Sequence, residues 1–438
     1  MTKTILNDFT MIILLFLGLF LSIKFLFFQI TKVGFIFKNT VGTLLKKDKK
    51  NIQGISSFQA VTTALAGTMG VGNIAGVATA IVAGGPGAVF WMWISAFLGM
   101  ATKYAEIFLA VKYRNTDKTG NFAAGPMYYI KNKLKINWLA VVFSVLCVFA
   151  SFGIGNMAQV KSVTSAINHV FSINEVISGI IVAGIVIMII FGGVKRISQI
   201  TEMVIPFISV IYICFSVVFL YINRNFICQT FSLIINSALG LDKAVSGIMG
   251  YSVSGAVKLG LSRGVFTNEA GLGSAPIVHG AANTKSPAHQ GVWGVFEVFL
   301  DTIVVCTVTA LVILTANHGM LWQSGLDGSV LTSAAFKSIF NQTGERFISL
   351  SIIFFAIPSM LGWCYYGESA LKFLINKEKA INIYRFIFCC CIAISPIIDT
   401  KSIWTISDIL NSLMALPNII AIFLLRNLIY APTERKKT

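Results

Sequence analysis

Four stretches of an otherwise apolar chain carry groups that could hold a ligand. The first is TMGVGNIAGVATAIVAGGPG, which begins at Thr68 and gathers Gly70, Gly72, Gly76, Gly84, Gly85 and Gly87 into one membrane-grade segment. Each such glycine costs a helix interior roughly 1 kcal/mol against alanine, so the cluster predicts an unwound helix. Inside a bilayer, unwound backbone survives only where it is buried in protein or lines a cavity. Its freed amides and carbonyls then face a ligand. Gly72 and Gly76 also form a small-xxx-small pair, which places Gly76 at a close helix contact.

The second stretch, Gly260 to Pro276, embeds Arg263, Asn268 and Glu269 among glycines. Ionisable residues within a span are expensive and must face protein or water. One reading is an internal ion pair, Arg263 or Glu269 with Lys103 or Glu106. The other is a direct part for Glu269 in ion or proton coupling. In the third stretch Glu297 and Asp301 lie one turn apart and read as structural. The fourth runs from Pro358 to Glu368. Ser359 and Trp363 are four apart there and share a helix face. A hydroxyl with an indole one turn away could ligate a cation and wall a small pocket, although a lone tryptophan more often marks packing or an interface.

These groups must be positioned by membrane helices. Of 438 residues, 56% are hydrophobic and only 12% charged, with mean hydropathy +0.80, which excludes a soluble domain. The net charge of +17 sits in short runs between apolar segments, where it reports topology rather than nucleic-acid binding. None of the eight cysteines suggests a disulfide framework, and the four histidines lack metal-ligand spacing. The first apolar run lacks a basic n-region and a cleavage site, so it reads as a retained span. Hydropathy marks eleven spans: 10–30, 57–82, 88–111, 136–158, 174–193, 199–221, 250–281, 289–316, 346–374, 381–397 and 403–425. With the N-terminus outside and the C-terminus cytoplasmic, the inner connections hold about three times the Lys and Arg of the outer ones. Segment 222–249 then lies mostly outside, as an amphipathic helix or lid.

The span at 10–30 is an addition to a ten-span core in one transporter domain, 1–438. That core divides into 57–221 and 250–425, five spans each, and an odd number inverts one half relative to the other. The glycine-broken spans open each half, a pattern that points to a midplane transport site. Walker A, GxSxG and HExxH motifs are absent, so neither nucleotide-driven pumping nor enzyme chemistry is expected.

The motifs MGVGNIAGVATAIVAGGPGAVFWMW, GMATKYAEIFLAVKYR, GPMYYI, GLSRGVFTNEAGLGSAP and LGWCYYGE, in this order, resemble the alanine or glycine:cation symporter family. The resemblance covers about Ser56 to Asn427. It implies a LeuT-type 5+5 inverted repeat with one extra N-terminal helix, in the cell membrane, working as a monomer without a resident cofactor. It also implies sodium-coupled uptake of alanine and glycine. Carried over by position, backbone of Gly67, Thr68, Gly70 and Gly72 would face the substrate carboxylate, which suits amides at a half-helix N-terminus. Asn73 would offer its amide, Phe266 would pack on the substrate methyl, and Ser359 and Trp363 would close the pocket. Sodium would take carbonyls of Ala66, Met69 and Phe355 with the Ser359 hydroxyl, oxygen ligands that suit a hard cation. Pro358 stands where this fold class often has a hydroxyl, so one ligand is missing. Proton-coupled symport and an uncoupled facilitator are the alternatives.

Overall fold

Nearly every segment that hydropathy marks as apolar is helical. The computed structural model describes residues 2–43, 54–116, 120–241, 253–284 and 286–432. Strand structure among them is confined to one short antiparallel pair, Asn115–Thr116 with Phe122–Ala123. Among the described residues, eight helical stretches are long and apolar enough to cross a bilayer. Large side chains such as Phe16, Phe207 and Val210 lie exposed on them, as lipid contact requires.

Helix α1 spans Thr2–Lys24. The first glycine-rich span is broken as its composition predicts. Helix α2, Ser57–Thr68, starts from a capping box in which Ser56 and Gln59 satisfy each other's backbone amides at 3.0 Å. It stops at Thr68, and Gly70 then takes φ −121°, ψ −147°, outside the helical region. A single tight turn at Val71–Asn73 leads into α3, Ala75–Gly84. Gly85, at φ +77°, turns the chain into α4, Gly87–Lys112.

Helix α5, Asn137–Phe152, continues through a π-turn at Gly153–Met157 into α6, Ala158–Phe171. The span is therefore longer than the expected 136–158. Its extension is amphipathic, burying Val160 and Val163 while Lys161 and His169 stay partly exposed, and mixed polarity ends a hydropathy window early. Next come α7, Glu175–Ile190, and α8, Gly193–Ile222. Helix α9, Ile227–Leu239, lies in the segment expected to form an outer amphipathic helix, and Ser237 accepts from the Gly87 amide at 3.1 Å. Residues 242–249, and the first residues of the expected span 250–281, lie outside the described residues.

The second glycine-rich span is broken as well. Helix α10, Val253–Asn268, and the short α11, Ala275–His279, are separated by a turn with Glu269, Gly271 and Gly273 at φ +53°, +85° and +86°. Helix α12, Pro287–Val298, passes through a π-stretch at Phe299–Cys306 into α13, Thr307–Gly319. Helix α14 runs over Gly328–Leu374, 47 residues with a kink at Asn341, so it begins well before the expected residue 346. Its arm before Asn341 rests on the first break, where Thr332 donates to the Ile74 carbonyl at 3.1 Å. Helices α15, Glu378–Ile394, and α16, Thr400–Leu425, complete the bundle.

Helix α4 is the central post, packed against α1, α10 and α12. The approach to α10 is so close that a β-carbon on Gly260 would fall 2.3 Å from the Ala88 carbonyl oxygen. Gly76 corrects the expectation of close packing. A β-carbon there would meet nothing within 4 Å, because the residue lines a cavity. Replacing Gly260 with Val should force α4 and α10 apart, costing about 1–3 kcal/mol as overpacking does. The expected outcome is a lower thermal midpoint in detergent.

Candidate substrate and ion site

The two breaks face α14. Ser359 donates to the Gly67 carbonyl at 3.2 Å, bringing together two residues marked by the sequence. Gly362 makes this approach possible, since a β-carbon there would already touch Gly67 N and Thr63 O at 3.3 Å. Tyr366, further along α14, points its hydroxyl at Gly67 and makes no hydrogen bond among the described residues. Ala66 and Met69 flank this contact along the chain. Phe355 lies one turn before Ser359, buried beside Tyr212 at 5.9 Å between ring centres. The carbonyls foreseen for a cation therefore belong to the two segments that Ser359 joins.

Beyond Thr68 the backbone departs from the helix, and Gln159 on α6 meets it. Its Oε1 accepts from Val71 N at 3.1 Å, and its Nε2 donates to Ile154 O in the π-turn at 3.2 Å. A β-carbon on Gly70 would stand 2.7 Å from that oxygen. Gln159 was missed in the sequence because it lies past the apparent end of its span.

Asn73 is turned toward Asp301. Its Nδ2 donates to Asp301 Oδ1 at 2.7 Å, while its own Oδ1 is buried without a partner among the described residues. Thr302 donates to Asp301 Oδ2 at 2.8 Å. Asp301 thus belongs to the first break rather than to a merely structural pair with Glu297. The π-stretch carrying it offsets the regular spacing that put those two carboxylates one turn apart. The signal for Asp301 was its charge within a span.

Phe266 reaches the first break from α10, 3.5 Å from the position of a Gly72 β-carbon. Its ring packs on Trp404 at 5.1 Å. Trp363 is fully buried and donates from Nε1 to Glu269 Oε1 at 3.0 Å. The marked residues therefore fall into two neighbourhoods. Ser359 and Gly67 meet directly, as do Asn73 and Asp301, whereas Trp363 is tied to the second break.

The ion pair foreseen within this region is drawn differently. Arg263 sits over Phe266 and Trp404, with Nη1 4.0 Å from Asp408 Oδ1. Arg263, Trp404 and Asp408 border an open cavity of about 530 Å³ that Gly76, Thr79 and Lys161 also line. Lys103 pairs instead with Glu297 at 3.1 Å, and Glu297 also meets His279 at 2.9 Å. Glu106 accepts from Asn418 at 2.7 Å and from Gly271 N at 3.3 Å. The pairing depends on which carboxylate lies beside α4 after the chain turns, which spacing alone does not specify. No group of three or more His, Cys, Asp or Glu converges among the described residues. A cation here must rely on carbonyl and hydroxyl oxygens with at most two such side chains.

Residues 1–436 match the family described as sodium:alanine symporter. A sodium/alanine symporter, AgcS, of Methanococcus maripaludis is 40% identical over 433 residues, 98% of this chain and 94% of its own. The chain belongs to the sodium:alanine symporter family. An uncharacterised transporter of Haemophilus influenzae is 43% identical over 420 residues, covering 95% and 90% of the two chains. A solved Na⁺-coupled sialic acid symporter in a substrate-bound outward-open state shares the fold across 99% of each chain, with TM-score 0.57 at 11% identity. Membership makes this protein a multi-pass, cation-coupled amino-acid symporter rather than an enzyme. Within it, Lys103 and Glu297 form a buried pair with no exposure of either side chain. Lys103→Met should strand the Glu297 charge and cost about 3–5 kcal/mol, with Lys103→Met/Glu297→Gln regaining most of it. Thermal midpoints of the three proteins check this.

Proposed function

We propose that the protein imports alanine, and glycine beside it, by symport with sodium through the cell membrane. The observation that carries this reading is the Ser359 hydroxyl against the Gly67 carbonyl. It joins the arm of α14 beyond Asn341 to the last turn of α2, just before the chain unwinds, where carbonyls of Ala66, Met69 and Phe355 with the hydroxyl oxygen make a donor set for a small hard cation. The amino acid's carboxylate faces backbone of Gly67, Thr68, Gly70 and Gly72, with Phe266 on its methyl and Trp363 limiting its size. Asn73 and Asp301 add a second pair of oxygens, Oδ1 of the amide and the carboxylate, beside the same break.

Eleven spans in a LeuT-type inverted repeat, N-terminus outside, give this site alternating exposure about the two breaks, and a single copy suffices. Sodium organises the first break and raises amino-acid affinity, and linkage makes the effect mutual. Coupling to protons is the second reading. Glu106, Glu269 and Asp301 favour it, each buried without an ion pair to a basic side chain among the described residues.

Uptake of labelled alanine into proteoliposomes separates the readings. Accumulation driven by an inward sodium gradient, and not by a proton gradient, is expected; accumulation driven by protons alone would overturn sodium coupling, and mere equilibration would indicate a facilitator. Ser359→Ala should raise the sodium concentration for half-maximal uptake about three- to tenfold, the worth of one oxygen ligand. An unchanged sodium dependence removes Ser359 from the ion site.

A further inference from the structure

Glu269 occupies a costly position. Its backbone is left-handed, at φ +53°, a conformation that glycine adopts freely and side-chain-bearing residues rarely do. Two later positions of the same turn, Gly271 and Gly273, meet the same demand with glycine. Strain of this kind persists where the surroundings over-determine it and clusters at functional sites. The carboxylate is also buried, which adds a desolvation cost. Its two oxygens are both used. Oε2 accepts from Ser274 Oγ at 2.5 Å within the turn, and Oε1 accepts from Trp363 Nε1 at 3.0 Å across to α14. An indole has one donor, so this bond fixes the tilt of the ring. The ring is also pressed against the π-turn, where a β-carbon on Gly155 would fall 2.2 Å from Trp363 Cγ. The indole is thereby held between closely packed backbone and one carboxylate, with the Tyr366 ring edge-on to it at 5.5 Å.

We propose that Glu269 is a positioning residue for substrate size: by holding the Trp363 indole it sets how large an amino acid the pocket accepts. This rests on the reading of Trp363 as a wall of the pocket. Because Glu269 lies in the second break, the same bond ties the wall to the conformation of that turn. A wall fixed from the break tightens when the turn is ordered and slackens when it is not. The residue thus acts through a neutral N–H donor, and its part does not depend on passing a proton.

The test is the ranking of glycine, alanine, serine and valine as competitors of labelled alanine uptake, for the wild type, Glu269→Ala, Glu269→Gln, Trp363→Ala and the Glu269→Ala/Trp363→Ala pair. Glu269→Ala should improve valine relative to alanine by about tenfold, the worth of a methylene or more in an apolar pocket, and raise the KM for alanine more than it lowers the maximal rate. Trp363→Ala should shift the ranking the same way, and the double variant should add nothing further. Glu269→Gln retains a carbonyl acceptor and should keep the wild-type ranking and pH profile. If Trp363→Ala relaxes the ranking and Glu269→Ala does not, the positioning role is overturned while the pocket wall stands. If neither does, the wall itself is wrong. A Glu269→Gln protein that behaves as Glu269→Ala and loses its pH dependence also overturns it, in favour of a proton role. Should Glu269→Ala fail to fold, benzothienylalanine at 363 keeps the ring and removes the N–H. It should relax the ranking equally, and an unchanged ranking contradicts the proposal.

Discussion

A bilayer has no water to offer a broken helix, and this constraint organises the whole protein. At both breaks the peptide groups that leave the helix are met from neighbouring elements. Gln159 takes the Val71 amide, Ser359 and Thr332 donate to the carbonyls of Gly67 and Ile74, and Glu106 with Asn418 takes both polar groups of Gly271. Unsatisfied, each group would cost on the order of several kcal/mol in hydrocarbon. The long helices α4, α14 and α16, with α6, therefore cradle the site as well as crossing the membrane.

The buried charges follow the same logic. Lys103 has one carboxylate as its partner, and that carboxylate is further held by His279, so this part of the core is neutralised locally. Glu106, Glu269 and Asp301 receive neutral donors instead, from Asn418, Trp363 and Asn73. Neutral donors orient a carboxylate without cancelling its charge.

Much of the architecture is legible in the sequence. Both breaks can be read from glycine density in apolar segments, and Ser359 and Trp363 from their shared helix face. What escaped depends on polarity or on register. The α6 extension and the arm of α14 before Asn341 are too polar for a hydropathy window. Gly76 has the spacing of a packing residue, yet nothing approaches it. Asp301 is carried to Asn73 by a π-stretch that no periodicity announces, and Arg263 finds Asp408 through tertiary placement rather than spacing.

In the proposed mechanism, sodium and the amino acid meet through one stretch of unwound backbone. Reciprocal binding isotherms in detergent test it most directly: alanine affinity across sodium concentrations, and sodium affinity across alanine concentrations. The two ligands should strengthen each other by one common factor, as linkage demands, and that factor should shrink in Ser359→Ala. Alanine binding that is indifferent to sodium would contradict it.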